Sequence, residues 1–415
     1  MTNLQDSNRL AVYLQDKLTG HLWLDERKRF VFQYDPQILN SSAKNALSIS
    51  LPLRAEPYID DAARPFFSNI LPESEIRRVI TRRLGISEQN DFMLLKIIGG
   101  ECAGAVSVLP EGIVPQEKPG YRELSEDELH KIITELPEQP LLAGEKGIRL
   151  SLAGAQNKLP VYLRKDKIFL ATGNAASSHI IKPPARELAS LVFNECFCMM
   201  LARKMAMNVP DVIIRQSLDT LFIVQRFDRT ANAEGKVTRL HQEDSCQALG
   251  ILPEQKYEAE GGPTLALCFE LISRVSISPA VDRLALLRWV VFNVLIGNAD
   301  AHAKNLAILF TNSGPRLAPF YDLISTEIYE NLTNKLAMKI GDEDRSDWLQ
   351  PRHWKKFADS VRMKQNLVLN TLTEMAGDIL PRAKSVAEEL SNAHGKDKAL
   401  EKIISGIEKR LRKLL

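Results

Sequence analysis

Residues 283–297 of this chain, Arg-Leu-Ala-Leu-Leu-Arg-Trp-Val-Val-Phe-Asn-Val-Leu-Ile-Gly, are predominantly apolar and close on Gly297. That pattern predicts a buried helix stopped at the glycine. Leu306–Phe310 is a shorter apolar run and predicts a buried strand. Between them lies the polar loop Asn298-Ala-Asp-Ala-His-Ala-Lys-Asn305, and past a turn carrying Ser313-Gly-Pro315 comes Phe320-Tyr-Asp322. Two rigid apolar elements therefore present one polar loop, a common way for a scaffold to display chemistry. Asp300 stands five residues before Asn305, and Asp322 follows both. One carboxylate can take the proton of an acceptor hydroxyl, while an amide and a second carboxylate can hold Mg²⁺ on the phosphates of ATP. Asp-x₄-Asn alone occurs in many unrelated chains, so it is the setting that favours phosphoryl transfer.

A chain of 415 residues exceeds one ordinary core and predicts two or three structural units. Its 45% hydrophobic and 26% charged residues are those of a soluble globular protein. The amino terminus lacks a basic-then-apolar signal, and the longest apolar run, near Trp289 to Ile296, is too short to span a bilayer. The expectation is a cytoplasmic protein with no membrane partner. Cys102, Cys196, Cys198, Cys246 and Cys268 have no zinc spacing and read as reduced, mostly buried thiols. A net charge of +2 does not advertise nucleic acid. Arg352, His353, Lys355, Lys356, Arg362 and Lys364 nevertheless crowd one predicted helix, and Lys409, Arg410, Arg412 and Lys413 crowd the tail. Taken singly, each stretch reads as a solvated helix face.

Alternating runs such as Leu10–Leu14 and Phe30–Tyr34 predict a small antiparallel sheet, and a helix is expected from Phe66 to about Leu84. Residues 110–125, rich in proline and glycine, read as a linker. Beyond it, 161–163, 168–170, 179–182, 212–215 and 220–225 are strand-like, Glu187 to Met205 is helical, and from Ser245 onward the pattern is helical apart from the site loop and its strands. The predicted divisions are a small amino-terminal α/β subdomain at 1–110, a mixed β-rich lobe at 111–227 and a mostly helical lobe at 228–415. This is an α+β layout of the bilobal, protein-kinase-like kind with an added subdomain.

Lys182 ends the apolar strand His179–Lys182, where it can meet nucleotide phosphates or simply reach water. Glu195, on the following helix, is a possible partner for it. Ser151-Leu-Ala-Gly-Ala-Gln-Asn-Lys158 offers small residues and backbone N–H groups for phosphates, or an ordinary turn. No Walker lysine motif is present. Phe222–Asp228 reads equally as an adenine-binding connection through Gln225, Arg226 and Phe227 or as an edge strand with Phe227 in the core.

Arg149–Lys158, His179–Lys182, Asn194-Glu195, Val209-Pro210, Gln225–Arg229, His241–Gln247, Gly261-Gly-Pro263, Asn298–Asn305 and Pro319–Asp322 closely resemble, in order, the HipA-type serine/threonine kinase toxins of bacterial toxin–antitoxin modules. The resemblance runs from residue 10 to about 375, and Leu71-Pro-Glu73 and Gly99–Gly104 resemble that family's amino-terminal subdomain. It implies a kinase that transfers the γ-phosphate of ATP to protein serine with Mg²⁺. By position, Asp300 is the catalytic base and Asn305 and Asp322 bind metal. Lys182 holds phosphates, and Ala153, Gly154, Ala155, Gln156, Asn157 and Lys158 form the phosphate loop. Gln225, Arg226 and Phe227 adjoin adenine, while His302, Lys304 and Tyr321 line the nucleotide site. Ser151 matches an autophosphorylated serine whose modification silences the kinase. The implied partners are a small helix-turn-helix antitoxin, operator DNA reached through that complex, and a translation protein such as glutamyl-tRNA synthetase as substrate. Lys355, Lys356 and Arg362 become a DNA-facing patch, with Asp359 standing against it. Gln225 departs from the glutamate common at that position. A pseudokinase co-repressor and a small-molecule kinase are the competing readings. The intact Asp300, Asn305 and Asp322 oppose the first, and the internal Ser151 opposes the second.

Overall fold

A computed structural model of the chain describes residues 8–41, 46–115, 120–145, 148–172, 175–185, 187–232 and 237–414. The fold is α+β and divides into two compact units. One comprises residues 1–182, 225–253 and 309–311, the other 183–224, 254–308 and 312–415.

The first unit begins with a five-stranded sheet in which β1 (Arg9–Leu14), β2 (Lys17–Leu24), β3 (Phe30–Tyr34), β4 (Tyr58–Ile59) and β5 (Val106–Pro110) take the order β4-β3-β2-β1-β5. All four pairings are antiparallel. β1, between β2 and β5, is covered on both faces: Leu10 and Val12 are fully buried on one, while Ala11 and Tyr13 pack with Leu109 on the other. Phe32 and Phe67, with ring centroids 5.5 Å apart, and Phe66, 5.2 Å from Phe67, fill the remaining core.

The expected helix from Phe66 to Leu84 is two helices, Arg64–Asn69 and Ser74–Leu84. Pro72 has no N–H to continue the ladder, and the backbone between the helices is used elsewhere. The Ile70 carbonyl accepts from the Ser151 hydroxyl at 2.8 Å, and the Glu73 N–H donates to the Gly154 carbonyl at 3.3 Å.

A second sheet carries β6 (Gly120–Glu123), β7 (Leu159–Arg164), β8 (Lys167–Thr172) and β9 (His179–Lys182) in the order β9-β7-β8-β6. The end of the expected linker is therefore a strand, Gly120 facing Thr172; residues 116–119 lie outside the described residues.

Buried charge ties this unit together. Glu101 Oε1 accepts from Ser177 Oγ at 2.9 Å and from the guanidinium groups of Arg226 at 3.4 Å and Arg229 at 3.2 Å. Asp228 accepts from Arg226 Nη2 at 2.8 Å and from the Gly104 N–H at 2.7 Å. Burial alone would raise both carboxyls, but the surrounding arginines reverse this and hold both below the usual carboxylate range. Nearby, the His241–Gln247 motif serves structure. His241 Nε2 pairs with the Leu47 carbonyl at 2.8 Å, and Glu243 accepts from the Ser48 hydroxyl and the Ile49 N–H.

The second unit is mainly helical. Gln365–His394 packs against Pro279–Ile296 and Leu191–Lys204, and Lys398–Leu414 closes over the last two. One part is not helical as expected: Lys335–Ile340 and Glu343–Arg345 form a hairpin around Gly341. Arg410, read as part of a basic tail, is buried; it donates to the Leu295 carbonyl at 2.9 Å and pairs with Glu327. All five cysteines are free and buried. Among the described residues, no helix is long and apolar enough to cross a membrane.

Glu101→Ala leaves two buried guanidinium groups short of a carboxylate and should cost about 3–5 kcal/mol, read as a lower urea midpoint. Burial pushes the Glu243 carboxyl up from 4.5 to about 8, so the folded protein holds a proton there that the unfolded chain releases. This contribution to stability is complete below the unfolded value and is lost as pH rises between those two values. Urea titrations across that range should show a falling midpoint that Glu243→Gln flattens.

Candidate active site

The Asn298–Asn305 loop is positioned by asparagine side chains at the end of a buried helix. Pro279–Ile296 ends at Gly297, and Asn293, on its last turn, donates from Nδ2 to the Trp289 carbonyl at 2.8 Å. Its Oδ1 accepts from Asn298 Nδ2 at 2.7 Å, and Asn298 Oδ1 accepts from the Asp300 N–H at 3.0 Å. Buried amides must be paired, and here the pairing runs from the helix to the backbone of Asp300. Ala299 is fixed on both sides. Its N–H donates to Thr326 Oγ1 at 2.8 Å, and its carbonyl accepts from the Ala337 N–H at 2.8 Å. The Asp300 carboxylate is exposed and accepts from the Tyr257 hydroxyl at 2.7 Å.

The His302 N–H donates to the Asp300 carbonyl at 2.9 Å and to Asn305 Oδ1 at 3.0 Å, closing the loop into a tight turn. Asn305 Oδ1 retains a second lone pair for a cation. The Tyr321 hydroxyl donates to the Lys304 carbonyl at 2.6 Å, joining the segment of Asp322 to the turn of Asn305. Asp322 is exposed and has φ +58°, a left-handed conformation costly for a non-glycine residue and concentrated at functional sites. Asp282 secures the approach to it. This carboxylate accepts from Arg316 Nη2 at 2.7 Å, from Ser276 Oγ at 2.5 Å and from the Leu317 N–H at 2.9 Å. Burial opposes ionisation of Asp282, but these donors hold its carboxyl below the usual range. Asp300, Asn305 and Asp322 thus belong to one hydrogen-bonded assembly within the second unit.

The other expected site residues lie in the first unit. Ser151 to Lys158 leads directly into β7, which pairs antiparallel with β9 through Leu159 opposite Ile181. One step further along that register sets Lys158 opposite Lys182, so both lysines mark the same end of the sheet. Gly154 has φ +108°, and a Cβ there would stand 2.7 Å from the Lys158 ammonium, which donates to the Ala153 carbonyl. Only glycine lets the loop close this tightly. Lys182 is buried, Gln225 is exposed and Phe227 is half-buried.

One sequence expectation needs revision. Arg226 does not offer its side chain to a nucleotide: it is 4% exposed and committed to Glu101 and Asp228, and its N–H donates to the Ser178 carbonyl at 2.9 Å. Ser151 is fully buried in this conformation. Lys355 and Arg362 are exposed, but Lys356 is paired with Asp342 at 2.6 Å. Glu195 is buried in Leu191–Lys204, whose Asn194 clamps Ser325 by accepting from its N–H and donating to its carbonyl, each at 2.9 Å. Sequence reasoning assigned no role to Asn293, Asn298 or Tyr257. Asparagines in and just beyond an apolar helix are a readable signal for the first two, whereas Tyr257 has none.

Two family models match the chain, the HipA N-terminal domain over residues 10–109 and the HipA-like C-terminal domain over residues 150–383. The serine/threonine-protein kinase toxin HipA of Shewanella oneidensis is 32% identical over 382 residues, covering 88% of this chain and 86% of that protein. Y4mE of Sinorhizobium fredii is 40% identical over 393 residues, 93% of each chain. A chain from the solved Shewanella oneidensis MR-1 complex of HipA, HipB and operator DNA superposes with a TM-score of 0.83 at 30% identity, covering 97% of this chain and 95% of that one. Fold and relatives define a serine/threonine kinase. Within that class, the chain belongs to the HipA family of toxin kinases.

If Asn298 positions the base, Asn298→Ala should lower kcat about 100-fold with ATP affinity unchanged, because a small displacement of a reacting group is enough. Steady-state rates alongside nucleotide titration check this.

Proposed function

We propose that the chain is an ATP- and Mg²⁺-dependent kinase that phosphorylates serine on a host translation protein, of the class of glutamyl-tRNA synthetase, and so arrests growth. The observation that carries this reading is the joined assembly of Asp300, Asn305 and Asp322. Asn305 and Asp322 are oxygen donors of the kind Mg²⁺ accepts beside substrate phosphates, and the ion would neutralise charge there when bound. Lys182 and the loop from Ala153 to Lys158 hold the phosphates, Gln225 and Phe227 adjoin adenine, and His302, Lys304 and Tyr321 shape the nucleotide site. The acceptor serine gives its proton to the Asp300 carboxylate as its oxygen bonds the γ-phosphorus. The bond to the β-phosphate oxygen breaks, and ADP leaves.

Autophosphorylation at Ser151 is the proposed off-switch. The Ser151 hydroxyl donates to the Ile70 carbonyl from a fully buried position. A phosphate carries nearly two negative charges and has no place against that carbonyl, so the modified loop must leave its seat and the phosphate cradle opens. A helix-turn-helix antitoxin is the proposed partner, and the pair would repress its operon on DNA. This rests on the similarity to the HipA chain solved with HipB and operator DNA. Lys355 and Arg362 would then meet phosphates rather than read bases. A cytoplasmic location goes with these partners.

Incubation with Mg²⁺ and γ-labelled ATP, followed by mass spectrometry, should find phosphate on Ser151. Asp300→Asn should cut transfer by about 10²–10⁴-fold and leave ATP binding intact. Full transfer by Asp300→Asn would remove the assigned role of the base, and no transfer by wild-type protein with ATP bound would favour a co-repressor without kinase activity.

A further inference from the structure

The Gly261-Gly-Pro263 motif has no part in phosphate or metal binding as described, yet it builds a fixed turn beside the base. The N–H groups of Glu260 and Gly262 both donate to the Tyr257 carbonyl at 3.0 Å. A Cβ on Gly262 would fall 1.9 Å from the Gln255 carbonyl oxygen and 2.7 Å from that of Tyr257, so no other residue fits. Glu258 Oε2 accepts from the Lys339 N–H at 2.8 Å, which pins the turn to the strand that also bonds Ala299. The turn delivers the Tyr257 side chain to the catalytic loop. Its hydroxyl donates to Asp300 Oδ1 at 2.7 Å, and its ring stands edge-on to His302, centroids 5.3 Å apart at 78°.

A hydroxyl donating to the Asp300 carboxylate is what an acceptor must supply for transfer. We propose that Tyr257 occupies the seat of the acceptor hydroxyl: it caps Asp300 Oδ1 in the acceptor-free enzyme, and a serine or a water molecule takes its place on that oxygen only once the phenol swings away. The inference rests on Asp300 being the proton acceptor. Because the backbone of the turn is held at several points, uncapping is a rotation of one side chain rather than a loop movement. The cap holds Oδ1 of the base while ATP is bound, and an entering protein substrate replaces one hydroxyl with another.

Tyr257→Phe keeps the ring on His302 and deletes the competing hydroxyl. In full-length protein, the kcat for Mg-ATP hydrolysis by water should rise about tenfold over wild type, the worth of one such hydrogen bond, with the KM for ATP unchanged. An unchanged kcat overturns the cap, and a fall in kcat overturns it in favour of a residue that positions the base. A second measurement does not depend on turnover. The ¹⁹F resonance of 3-fluorotyrosine placed at position 257 should shift on Asp300→Ala, and an unmoved resonance removes the contact and the proposal with it. Absence of both hydrolysis and phosphorylation in wild-type protein would instead sink the kinase reading, leaving the ¹⁹F result to decide whether the contact exists.

Discussion

Glu101 is the joint on which the first unit turns. Its side chain gathers Ser177, Arg226 and Arg229, and its backbone brackets the start of the loop that carries Ser151, donating to the Arg149 carbonyl at 2.7 Å and accepting from the Ser151 N–H at 2.9 Å. One buried residue thus touches the amino-terminal sheet's motif, the loop that carries Ser151, the approach to β9 and the strand end at Gln225. Such a carboxylate is tolerable only because arginines and hydroxyls satisfy it. The amino-terminal segment is therefore a structural support of the loop that carries Ser151. Its Ile70 and Glu73 backbone groups hold the same loop from the other side.

The second unit solves a similar problem with neutral groups. Its loop from Asn298 to Asn305 is fixed by amides and backbone, from Asn293 through Asn298 to Asp300, and by Thr326 and Ala337 at Ala299. The buried carboxylate of Asp282 pairs with Arg316. Asp300 and Asp322 themselves are left exposed. Asp322 shares its positive φ with Ser190, Ala206 and Arg362 in the same unit.

The sequence made much of this legible. The strands at Leu10–Leu14 and Phe30–Tyr34 announced themselves by alternation, and the buried helix before Asp300 by its apolar run. What stayed hidden depended on long-range partners. The break at Ile70–Glu73 exists because residues some eighty positions later claim that backbone. Arg226 looked like a ligand because an adenine connection and a buried ion pair use the same residue types. Arg410 looked like tail charge because nothing local says that Glu327 and the Leu295 carbonyl await it. Tyr257 sits in a polar segment with no periodicity, and only the fold carries it to Asp300.

Arg410 also fixes an order of events. Its guanidinium lies where a side chain on Gly297 would have to be, filling the space behind the start of the catalytic loop. That filler comes from the final helix, synthesised long after the loop it supports. A nascent chain in which Lys398–Leu414 has not yet emerged lacks it, so the loop after Gly297 gains this support only when that helix packs.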